Sequence, residues 1–127
     1  MYQLCIDVKD RPGELAKVVG LLANQNIDIK ALYLGESRKA DGIGIVKAIV
    51  TDGTRAIKIL EDEGFPTRQE QIIVIAIEDH PGGLYAVLEQ LARAEINIGQ
   101  IYSFVTRIEG KALSVFEVDA FDRASRL

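Results

Sequence analysis

The stretch Asp10-Arg11-Pro12-Gly13-Glu14-Leu15 returns, 69 positions on, as Asp79-His80-Pro81-Gly82-Gly83-Leu84. Each copy lies between an alternating apolar run and a helical apolar pattern, which makes each a strand-to-helix turn. Proline suits the first helical turn, where its missing N–H is no loss. The glycine beside it exposes backbone N–H groups at the positive end of a helix and has no side chain to block a ligand. A carboxylate could dock there. A single copy reads more simply as a helix start.

The repetition extends well beyond the loop. Ile6, Val18, Leu22 and Ala23 match Ile75, Val87, Leu91 and Ala92, and Ile27, Ile29 and Tyr33 match Ile96, Ile98 and Tyr102. The stripe Leu15, Val18, Val19, Leu22 recurs as Leu84, Val87, Leu88, Leu91. After the next turn the offset falls by one, so that Gly42 meets Gly110, Val50 meets Val118 and Arg55-Ala56 meets Arg123-Ala124. Two copies of one unit stand in tandem, over 1–70 and 71–127.

Within the first copy, Leu4, Ile6 and Val8 alternate with polar residues and predict a strand with one buried face. A helix follows over Pro12 to Asn24, then a strand over Ile27 to Leu34, a polar turn over Gly35 to Gly42, and a strand over Ile43 to Thr51. Asp52-Gly53-Thr54 opens a second helix that Gly64 and Pro66 stop. Thr67 to Ile77 reads as one extended run joining the copies. The second copy repeats the order: helix Pro81 to Arg93, strand Asn97 to Arg107, hairpin at Glu109-Gly110, strand Lys111 to Asp119, and a helix from Asp122. Leu127 corresponds to Ile59, so this copy is expected to lack its last strand, being either trimmed or completed by a neighbouring chain.

Strand-helix-strand-strand-helix-strand is the α+β plan of ferredoxin-like βαββαβ repeats: an antiparallel sheet with helices on one face, here built twice and incomplete at the C-terminus. The matched second strands predict one eight-position sheet through their mutual pairing. An open edge invites pairing with another chain, so a homodimer is expected.

Composition narrows the function. The 127 residues are 48% hydrophobic, with a net charge of −4. That balance speaks against nucleic acid and anionic membrane surfaces, which need clustered Lys and Arg. No apolar stretch is long enough to cross a bilayer. A lone cysteine fits a reducing cytoplasm, and one His with one Cys does not make a zinc site. No cofactor or metal is expected. Nor is catalysis, because nothing supplies a nucleophile with its base, a metal cage or a nucleotide loop. His80 reads as a solvated loop residue, Tyr33 and Tyr102 as cross-strand packing, and Glu61-Asp62-Glu63 as a solvated helix end.

The loop Asp-x-Pro-Gly-x-Leu, the Leu/Val helix, and then Asn26-Ile27-Asp28-Ile29 or Glu95-Ile96-Asn97-Ile98 together resemble the ACT domain, and the whole chain resembles stand-alone tandem ACT proteins. The resemblance implies regulation by a small ligand, most often an amino acid, bound at the seam between two domains. One site would use Asp10, Pro12 and Gly13 with Asn97. The other would use Asp79, Pro81, Gly82 and Gly83 with Asp28. Backbone N–H groups suit the ligand's carboxylate, and a carboxylate or amide suits its ammonium. Two carboxylates, Asp79 and Asp28, would raise each other's pKa in the second site, which makes the first the better binder. A regulated enzyme is the partner this implies. The alternative is a ligand-free module that pairs with itself or with an enzyme.

Overall fold

The computed structural model describes residues 1–35, 42–105 and 108–127. Most of the turn expected over 35–42, and the end of the strand expected to reach 107, lie outside the described residues. The chain divides into two compact units, Tyr2–Glu70 and Gln71–Leu127 with Met1.

In the first unit, β1 (Tyr2–Lys9) directs Leu4, Ile6 and Val8 at α1 (Glu14–Asn24) and α2 (Gly53–Asp62), which contribute Val18, Leu22, Ala56 and Leu60 to one buried core. With β2 (Ile29–Leu34), β3 (Ile43–Val50) and β4 (Thr67–Gln71) the sheet order is β2-β3-β1-β4. The β1–β3 ladder is antiparallel, with Leu4 opposite Ala48 and Lys9 opposite Ile43. β1 is buried on both faces rather than one, since Gln3 and Cys5 are also fully enclosed. The strand is central, and polar side chains from both neighbours reach over it. Cys5 Sγ donates to Glu70 Oε1 at 2.8 Å, Gln3 Nε2 donates to the same oxygen at 3.3 Å, and Lys47 Nζ lies 3.7 Å from it.

The second unit repeats the plan with β5 (Ile73–Glu78), α3 (Gly83–Arg93), β6 (Ile98–Ser103), β7 (Lys111–Val118) and the short α4 (Phe121–Ala124). Its sheet order is β5-β7-β6. Ile77, Leu91, Ile96, Phe116 and Ala124 form the core.

Three expectations need correction. The run Thr67 to Ile77 is not one strand. Ile72, 1% exposed, donates its N–H to the Met1 carbonyl at 3.0 Å and separates β4 from β5. The ladders also form two sheets, of four and three strands, rather than one. Among the described residues β2 pairs with β3 and β6 with β7. Finally, neither proline occupies a first helical turn: α1 begins at Glu14 and α3 at Gly83. The residue before each helix, Gly13 or Gly82, has φ near +90°, a left-handed conformation that right-handed helix cannot include. Pro12 and Pro81 are left in the turn ahead of it.

Candidate functional site

The two Pro-Gly loops match bond for bond. Asp10 N–H donates to the Gly42 carbonyl, Arg11 N–H to Lys9, Glu14 N–H to Arg11 and Lys17 N–H to Gly13. In the second copy Asp79 donates to Gly110, His80 to Glu78, Gly83 to His80 and Ala86 to Gly82. A Cβ on Gly13 or Gly82 would meet nothing within 4 Å, so the left-handed backbone, not crowding, selects glycine there. Neither helix receives a side-chain cap from that glycine.

The copies differ one residue later. A Cβ on Gly83 would lie 2.0 Å from the Glu78 carbonyl oxygen, so this helix start presses on the end of its strand. Its counterpart Glu14 carries a side chain, 10% exposed, whose Oε1 accepts from Arg11 Nε at 2.7 Å. Gly83 thus has a packing reason of its own.

The other half of each expected site is set by how the first helix of each copy ends. Asn26 and Glu95 take up left-handed φ of 59° and 57°. Ile27 N–H then donates to the Leu22 carbonyl and Ile96 N–H to Leu91, with both isoleucines buried. This left-handed helix end, with its apolar residue folded back, turns the chain sharply into the next strand. Arg55 and Arg123 reinforce it by donating to the Gln25 and Glu95 carbonyls. Asp28 and Asn97 follow as exposed residues at the mouths of β2 and β6. Asp28 N–H donates to Thr51 Oγ1 at 3.1 Å, and Asn97 N–H donates to Asp119 Oδ1 at 3.0 Å. With main-chain N–H groups so engaged, the Asp28 and Asn97 side chains extend outward.

The sequence reading missed Lys30. Its ammonium donates to Asp28 Oδ2 at 2.9 Å and holds that carboxyl below its ordinary value of 3.8. A lysine two residues on in a strand shares the face of Asp28, a spacing visible in the sequence. At Asn97 the surroundings are acidic instead: a cavity of about 230 Å³ is lined by Asn97, Gly99, Glu117, Val118 and Asp119. Gly99 widens it by having no side chain. His80 is exposed, with Nδ1 2.9 Å from the Pro81 carbonyl oxygen.

Of the expected site residues, Asp10, Pro12 and Gly13 share one exposed loop, Asp79, Pro81 and Gly82 another, and Gly83 is buried beneath the second. A cavity of about 370 Å³ contains none of them. It lies on the helix side of the second sheet among Ile73, Ile75, Val87, Leu91 and Phe116. Among the described residues no cluster of His, Cys, Asp or Glu could hold a metal ion, and no helix is long and apolar enough to cross a membrane.

A family model described as an ACT domain pair matches residues 1–127. Among solved structures the chain is similar to protein BT0572 from Bacteroides thetaiotaomicron, with 29% identity and a TM-score of 0.88 over 98% of this chain and 83% of that one. It also shares its fold with the ligand-free regulatory subunit of aspartate kinase from Thermus thermophilus, at 19% identity and a TM-score of 0.71, covering 98% and 88% of the two chains. Comparison with curated proteins gives no match. The matched model takes in both Pro-Gly loops and both helix ends, and the chain belongs to the ACT domain pair family.

Proposed function

We propose that this ACT domain pair is a non-catalytic regulatory module that binds a small amino acid at the seam between its repeats. Asp10, Pro12 and Gly13 with Asn97 form one site in this reading, and Asp79, Pro81, Gly82 and Gly83 with Asp28 the other. The observation that carries it is the duplicated loop, built with one hydrogen-bond pattern and one left-handed glycine per copy, where a carboxylate can meet backbone N–H groups. Asn97 offers an amide to the ligand ammonium. Regulation is suggested by the Thermus thermophilus structure of this fold, a regulatory subunit of aspartate kinase. An enzyme is the regulated partner in that reading.

Titration with a panel of amino acids, read as thermal stability, tests it. A true ligand stabilises by RT ln(1 + [L]/Kd), about 2.7 kcal/mol at a hundredfold excess over Kd. Failure of every amino acid at millimolar concentration would favour the second reading, a ligand-free pairing module. That reading draws on edge strands β2 and β6, where Leu34 and Ile101 stand exposed. Molecular mass in solution then becomes the deciding number: a homodimer supports it and a strict monomer removes it.

A further inference from the structure

We draw no further inference here: the strongest candidate, the apolar cavity of about 370 Å³ between α3 and the edge strand β5 of the second unit, carries nothing because nothing in the structure shows what covers it.

Discussion

Cys5 and Glu70 form a linked pair on the face of the first sheet opposite its apolar core. Burial pushes the Cys5 thiol up to about 12 from its ordinary 9.0, and the Glu70 carboxylate beside it adds to the rise. The thiol's hydrogen bond in turn holds the Glu70 carboxyl below its ordinary 4.5, with help from Lys47 and Gln3. The two signs give two pH windows. Because the raised thiol keeps its proton in the folded state, stability falls as pH rises from about 9 towards about 12. Because the depressed carboxyl gives its proton up, its contribution is present above 4.5 and lost as pH falls below that value. Cys5→Ala should flatten the alkaline slope of urea midpoint against pH, reduce the acid slope, and cost about 1 kcal/mol near neutrality. A disulfide reagent at pH 8 should label Cys5 only as fast as the protein opens. Glycines give a second residue-level contrast. Gly83→Ala drives a methyl into the Glu78 carbonyl and should cost about 2 kcal/mol, whereas Gly20→Ala, in α1 with nothing within 4 Å, should stabilise by about 1 kcal/mol. Equal midpoints for those two variants would contradict the packing assigned to the second loop.

Elements were legible in the sequence where a local pattern decides them. The Leu15, Val18, Leu22 stripe located α1, and Asp52 located α2, whose N-cap it is, accepting from Arg55 N–H at 3.2 Å. The repeat itself made the α+β class readable, because two aligned copies reinforce each weak signal. What failed depends on backbone dihedrals or on distant partners. Pro-Gly reads as a helix start, yet the left-handed glycine puts the boundary two residues beyond the proline. Ile72 looks like any strand residue until Met1 claims its N–H. Pairing of the β2 and β6 edges was an extrapolation from similarity, and similarity does not specify a hydrogen-bond partner. The turn into each second strand carries its own prediction. Glu95 sits left-handed without glycine or asparagine to ease it, so Glu95→Gly should raise the unfolding free energy by about 1 kcal/mol. Asn26→Gly, replacing a residue that tolerates this conformation, should change it less.

For the molecule as a whole, membership of the ACT domain pair family settles the class of protein, and duplication of the loop frames the functional question. The two loops share one backbone pattern, but the residues proposed to complete each site differ in their surroundings. Asn97 opens onto a cavity with Glu117 and Asp119, whereas Asp28 is already engaged by Lys30. A ligand ammonium finds a neutral amide and acidic surroundings near Asn97, and a carboxylate already in an ion pair at Asp28. In the proposed reading, that difference favours the site of Asp10 and Gly13 with Asn97. The most direct measurement is the ligand-induced shift in unfolding free energy for the wild-type chain, Gly13→Val and Gly82→Val, each against the amino acid that stabilises the wild type most. The account predicts about 2.7 kcal/mol for the wild type at a hundredfold excess over Kd, a shift lost in Gly13→Val and largely kept in Gly82→Val. A shift that survives Gly13→Val, or one that Gly82→Val removes instead, would contradict it.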